Sequence, residues 1–144
     1  MKQDYQNLIK DSGLKVTKSR LGVLADLSSQ DRPSDAQEIH QRLVKQGMKL
    51  DQATVYRILE KFQALDIVKP VNFEDGKIRF ELADHHHHHM VCEDCGAIEI
   101  VEDCEIEKIS DDLAKKHKFH ITRHSLEFFG LCHNCDVKRI ENRE

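Results

Sequence analysis

Cys92-Glu-Asp-Cys95 and Cys132-His-Asn-Cys135 are two C-x-x-C pairs separated by 36 residues, and the first begins just after five consecutive histidines, His85 to His89. Two intervening residues let a tight turn carry both sulfurs to one ion, and a second pair completes a tetrahedral four-sulfur site with Zn–S distances of about 2.3 Å. One such pair is weak evidence; two are strong. The competing reading is a pair of disulfides. Against it, the cysteine count is odd, five, in a chain without a signal-peptide pattern, which favours reduced thiols and metal. A four-sulfur zinc has no room for imidazole, so the histidines need sites of their own.

If the histidine run is extended, its side chains alternate between faces: His86 and His88 point one way, His87 and His89 the other. One short run then offers two half-sites. Each needs further ligands from elsewhere in the chain, and Glu81, Glu107 and His124 are the candidates. Imidazole with carboxylate suits zinc, ferrous iron or manganese, so donor type does not choose the metal. The competing reading is a solvated histidine tract with casual metal affinity. His40, His117, His120 and His133 are scattered and read as surface or packing residues. Cys104 has no C-x-x-C partner and reads as a free structural thiol, with a metal- or redox-sensing role as the alternative.

The elements that must hold these groups follow from capping signals and periodicity. Tyr5, Leu8 and Ile9 predict a short helix ending at Gly13. Thr17 is placed to cap a second helix carrying Leu21, Val23, Leu24 and Leu27. Ser34-Asp-Ala-Gln37 has capping-box spacing and predicts a third helix, with Ile39, Leu43 and Val44 inward, ending at Gly47. Asp51 caps a helix from Gln52 to about Asp66, in which Val55, Ile58, Leu59, Phe62 and Leu65 form one apolar face and Tyr56, Arg57 and Lys61 fall outside it.

Two segments of strand character, Ile67 to Val71 and Ile78 to Leu82, flank an Asp-Gly turn. Helices followed by a two-stranded ribbon predict a helix-turn-helix with a wing, whose second helix can enter a major groove. The competing reading is an amphipathic surface helix with a solvated polar face. Beyond the histidines, strands are expected at Met90-Val91, at Ile98 to Val101 and at Ile121 to Phe129. A helix from Glu105 to His117 is expected to turn Ile106, Ile109 and Leu113 inward. The fold class is therefore α+β: a winged-helix domain over residues 1–84 and a small α/β domain over residues 85–144, tied by the four-sulfur site.

Net charge is −4, which argues against indiscriminate nucleic-acid binding. Residues 1–84 carry fourteen Lys and Arg against thirteen Asp and Glu, and residues 85–144 carry eight against thirteen, so any nucleic-acid surface must be a local basic face on the first part. No run of about 18 apolar residues occurs. Neither export nor membrane insertion is expected, which makes the cytoplasm the expected compartment. An enzyme is not expected either. Neither H-E-x-x-H nor H-x-E with P-C-x-x-C is present, which leaves a zinc hydrolase or deaminase without its motif.

Gly13-Leu-Lys-Val-Thr17 with Arg20, Ala53-Thr-Val-Tyr-Arg57, Asn72-Phe-Glu-Asp-Gly76, the histidine run into Cys92-Glu-Asp-Cys95-Gly96, and His124-Ser-Leu-Glu-Phe-Phe-Gly-Leu-Cys132 together resemble, in order, the ferric uptake regulator family of metalloregulators. The resemblance covers nearly the whole chain. It implies a homodimer with amino-terminal winged helices and carboxyl-terminal dimerisation domains, which when metal-loaded binds an AT-rich inverted repeat in double-stranded DNA and represses transcription.

By position, Cys92, Cys95, Cys132 and Cys135 match the structural zinc ligands. His86, His88, Glu107 and His124 match a site within the dimerisation domain, and Glu81, His87 and His89 match a sensing site at the hinge. The loop from Ser28 to Pro33 has no histidine, so Asp31 or a water is left to complete that hinge site. Lys15, Tyr56 and Arg57 are the expected DNA contacts, Lys15 and Arg57 on phosphates and Tyr56 near base edges. The five histidines with Cys104 look like zinc-sensing members; the motifs around Tyr56 and Gly76 look equally like iron sensors. A peroxide-sensing member and a metal storage or delivery protein are the alternatives.

Overall fold

The computed structural model describes residues 4–84, 86–102 and 105–143. Cys104 and His85 lie outside the described residues, and so does the reading of Cys104 as a free or sensing thiol. Chain contacts divide the molecule into two compact units, Met1–His85 and His86–Glu144. The first contains α1 (Tyr5–Asp11), α2 (Lys18–Ser29), β1 (Ser34–Asp35), α3 (Ala36–Lys45), α4 (Gln52–Ala64), β2 (Val68–Asn72) and β3 (Ile78–Leu82). The second contains β4 (His88–Cys92), β5 (Ile98–Val101), α5 (Ile106–His117), β6 (Glu127–Gly130) and α6 (His133–Glu141).

The helices of the first unit begin and end where local chemistry dictates. The Asp4 carboxylate accepts from the Gln6 and Asn7 N–H groups, Thr17 Oγ1 from Arg20 N–H and Asp51 from Thr54 N–H, each satisfying donors that a helix start leaves open. At the end of α1, Gly13 takes φ +78° while its N–H reaches the Lys10 carbonyl and that of Leu14 reaches Ile9, a left-handed closure suited to glycine. The start of α3 departs from expectation by one residue. Asp35, not Ser34, is the cap: its carboxylate accepts from Glu38 N–H at 2.8 Å and its own N–H donates to Glu38 Oε2 at 3.0 Å. Ser34 instead pairs with Phe80 in β1 and accepts from Arg42 Nη2 at 2.8 Å.

α2, α3 and α4 converge on one dry core. Val23, Leu24, Ile39, Leu43, Val55, Leu59 and Phe62 are fully buried, closed by Ile9 from α1 and by Val68 and Phe80 from the β1-β3-β2 sheet. Each such side chain contributes roughly 1.5–3 kcal/mol by leaving water. Val44 and Leu65, expected inward, are exposed, because the helical stripe is narrower than the apolar run suggested. In the same unit Arg42 grips the buried Asp26 with two bonds, Nε to Oδ1 at 2.9 Å and Nη2 to Oδ2 at 2.7 Å. With its bond to Ser34, Arg42 ties α2, α3 and β1 together.

β2 and β3 pair antiparallel from Val68↔Leu82 to Asn72↔Ile78, leaving a five-residue turn in which Gly76 takes φ +79°. Arg79 clamps that turn through Asp75 at 3.0 and 2.7 Å and stacks over Phe73. This is the wing.

The second unit is organised differently. Its sheet runs β5-β4-β6, with β5 antiparallel and β6 parallel to β4. The strand expected from Ile121 to Phe129 is confined to Glu127–Gly130, because only those residues meet a partner in β4. α5 forms as expected, but Ile109 is 55% and Leu113 46% exposed, and no side chain of α5 is buried. α6, which the sequence reading left unassigned, starts at the second cysteine pair, with Cys132 as its N-cap and Cys135 in its first turn. No helix among the described residues is long and apolar enough to cross a membrane.

Candidate metal centres and recognition helix

The four cysteine sulfurs come from two local structures. Cys92 ends β4, and a tight turn follows: Cys92 N–H donates to Ala97, Gly96 N–H returns to Cys92, and Gly96 takes φ +75°. That turn presents Cys95 beside Cys92. Cys132 is the residue before α6 and Cys135 lies in its first turn, where unpaired backbone N–H groups favour a thiolate. The parallel register Cys92↔Gly130 and the bond from Glu93 N–H to the Gly130 carbonyl bring the two halves together.

All four ligand atoms lie within 4.8 Å of one another, and Cys95 Sγ stands 3.8 Å from Cys132 Sγ. A tetrahedron of Zn–S bonds of about 2.3 Å has edges of about 3.8 Å, so this cluster fits the ion; the cysteines are free, not disulfide-bonded. The Cys92 thiol is drawn down to about 6, first by the Cys132 N–H, at 3.3 Å from its sulfur, and next by that of Cys95. Cys135 is pushed up, first by its hydrogen bond with the Cys132 thiol and then by that with Asp94. Four sulfurs this close share protons, and a bound cation is what allows all of them to ionise.

The histidines alternate as an extended run should. The rings of His86, His88 and His124 lie 5.1–5.2 Å apart, centroid to centroid, and their ligand nitrogens lie within 4.8 Å of one another. His88 is buried, and its Nδ1 lies 3.2 Å from the Leu126 carbonyl. A carbonyl only accepts, so this contact is a hydrogen bond in the tautomer with the proton on Nδ1, the one in which Nε2 can serve as a metal ligand. Metal-binding histidines are commonly oriented this way. Glu107, in the exposed first turn of α5, is not part of the three-imidazole group.

On the other side of the run, His87 and His89 form an edge-to-face pair at 5.0 Å, with His89 buried. Within the first unit Glu81 sits on β3, buried, with Lys69 Nζ 3.3 Å from its Oε1. His40 has a packing role: its Nε2 meets the Leu50 carbonyl at 2.8 Å.

On α4, Tyr56 and Arg57 are exposed opposite the buried Val55, Ile58, Leu59 and Phe62. Arg57 Nη2 donates to Thr54 Oγ1 at 3.3 Å, drawing the guanidinium back toward the start of the helix. The Lys15 side chain is exposed in the loop before α2, and its carbonyl accepts from Arg20 Nη1 at 2.6 Å. Two tertiary features went unseen in the sequence, the Asp26–Arg42–Ser34 network and the Leu126 carbonyl that orients His88. Neither has a spacing signal, since both join residues far apart in the chain.

Comparison with known proteins agrees with this geometry. The model of the ferric uptake regulator family matches residues 11–129. The ferric uptake regulation protein of Escherichia coli K12 is 39% identical over 141 residues, covering 96% of this chain and 95% of that protein. The crystal structure of the Vibrio cholerae ferric uptake regulator matches with a TM-score of 0.75 and 40% identity, over 90% of this chain and 100% of that one. The Pseudomonas aeruginosa ferric uptake regulator with manganese matches with a TM-score of 0.78 and 32% identity, over 91% and 99%. The chain belongs to the ferric uptake regulator family: it is a metal-dependent, DNA-binding transcriptional repressor and not an enzyme.

Proposed function

We propose that this protein is a homodimer that represses genes of metal homeostasis in the cytoplasm by binding an AT-rich inverted repeat when its regulatory site is loaded. The observation that carries the reading is one chain holding a winged helix with an exposed Tyr56–Arg57 face and, in its second unit, both a four-sulfur cluster and a three-imidazole cluster. Cys92, Cys95, Cys132 and Cys135 would hold a structural Zn2+, which supplies folding energy and has no open position for exchange. His86, His88 and His124, with Glu107, form the second site, and the partner dimer is supported by the uncovered apolar side chains of α5.

The sensing site in this reading is Glu81 with His87 and His89. Its support is chain economy: six positions separate the wing's buried carboxylate from the first of two paired imidazoles. A metal held by these three couples the DNA-binding unit to the dimerising unit, and so sets how far apart two recognition helices stand on one duplex. Lys15 and Arg57 contact phosphates and Tyr56 base edges. The relatives named for ferric uptake favour Fe2+ as the regulatory ion; imidazole and carboxylate donors accept Zn2+ or Mn2+ as readily.

The test is a mobility shift on an AT-rich inverted repeat with Fe2+, Zn2+ and Mn2+ and with chelator. Metal-dependent binding that chelation reverses is the expected result. Binding indifferent to metal removes the regulatory reading, and no binding in any state favours storage or delivery instead.

A further inference from the structure

We propose that Gln52, at the start of α4, reads an adenine in each half-site and so sets part of the operator sequence. This rests on the reading of α4 as the DNA-recognition helix and names a base contact for it. In a helix, residues four apart share a face. Gln52, Tyr56 and Glu60 form one exposed stripe of α4, with Ala53 and Arg57 exposed beside it. The carboxylate of Glu60 repels phosphate, so the half of the stripe that can approach DNA is the half led by Gln52. In a helix-turn-helix that is also the end whose residues meet base edges.

The neighbours in that first turn are already committed. The Asp51 carboxylate accepts from Thr54 N–H at 2.7 Å, and Thr54 Oγ1 accepts from Arg57 Nη2. Arg57 is thereby held at the helix start as a cation for the backbone. Gln52 remains as the one amide in the turn, and an amide offers a donor and an acceptor side by side. That pair is complementary to N7 and the N6 amino group of adenine, and to no other base edge in the major groove with the same two-bond match. The methyl of Ala53, one residue on, suits the thymine methyl of an adjacent A·T pair.

The experiment is selection of bound sequences from a random duplex pool by the full chain, run in parallel with zinc and with manganese, for the parent and for Gln52→Ala and Gln52→Glu. The parent is expected to enrich an inverted repeat with one adenine per half-site whose replacement by G·C costs on the order of tenfold in affinity. Gln52→Ala should lose the preference at that position alone, with an unchanged salt slope because no phosphate contact is removed. Gln52→Glu should move the preference there toward cytosine, whose amino group donates to a carboxylate. An exposed first-turn position tolerates both changes, and retained metal content and dimer verify this. If Gln52→Ala and Gln52→Glu enrich the parent's sequence with the parent's discrimination, Gln52 reads no base. If the parent itself enriches no sequence with either metal, the recognition-helix reading fails and this inference falls with it.

Discussion

The two units of this chain bury different things. In the first, aliphatic and aromatic side chains from four helices and a hairpin are removed from water, and the buried carboxylate of Asp26 is paired with the partly exposed Arg42. Among the described residues of the second, the buried side chains are Cys92, Cys135, His88 and His89, while Met90, Ile100, Ile109, Leu113 and Phe128 stand 41–55% exposed. The first unit therefore has a hydrophobic core of the ordinary kind. The second buries little apolar surface within one chain, and small domains of that sort commonly rely on metals or on a partner. A regulator gains from this division. In the function proposed above, the DNA-binding unit relies on its own core, while the order of the other half would rest on ions and on a second subunit.

The largest test of that contrast is Cys135→Ser. Structural zinc contributes about 10–16 kcal/mol in small domains that need it, so the variant is expected to lose zinc and the order of the second unit while the helical signal of the first persists. Zinc analysis with circular dichroism reads this, and a variant that stays folded and dimeric means the cluster is not structural. Next comes Arg42→Ala in the first unit. It leaves Asp26, whose side chain is 1% exposed, as an unpaired buried charge, and breaking a buried pair costs about 3–5 kcal/mol. Asp26→Asn should cost less, since the Arg42 side chain, 29% exposed, is not sealed from water as Asp26 is. Denaturant melts should show both losses with metal content unchanged; a metal-dependent loss would blur the division.

A smaller effect is expected at the proposed sensing residues. His87→Ala with His89→Ala should give a folded, zinc-containing dimer whose DNA affinity ignores added metal, removing a coupling of about 1–3 kcal/mol. His124→Ala should act mainly on dimer stability. Titrations of DNA binding against free metal, with sedimentation alongside, distinguish them; if His124→Ala alone abolishes the response, sensing belongs to the three-imidazole site. The smallest is Arg57→Ala, expected to lower the slope of log K against log salt by about 0.9 with metal content intact. An unchanged slope with unchanged affinity takes Arg57 out of the interface.

Much of the first unit was legible because its signals are local. Thr17, Asp51 and Gly13 act within one helical turn, and Val55, Leu59 and Phe62 repeat at the helical period. The capping box was misread by one residue because Ser34 and Asp35 both have suitable side chains, and the choice fell to the pairing of Ser34 with Phe80 in the sheet. In the second unit the same periodicity was misleading. Ile109 and Leu113 sit on one apolar face of α5 as the pattern requires, yet a pattern says only that a face is apolar, not that this subunit covers it.

By itself the sequence determined the ligand inventory, the alternation of His86 and His88 against His87 and His89, and most helix boundaries, because donor chemistry, the two-residue period of extended chain and capping are properties of neighbouring residues. Only the tertiary structure decided that the Cys132 N–H donates to the Cys92 sulfur, that the Leu126 carbonyl meets His88, and that Asp26 meets Arg42. Those encounters depend on the parallel register of β4 with β6 and on the packing of α2 against α3, long-range pairings whose free energy no local segment carries.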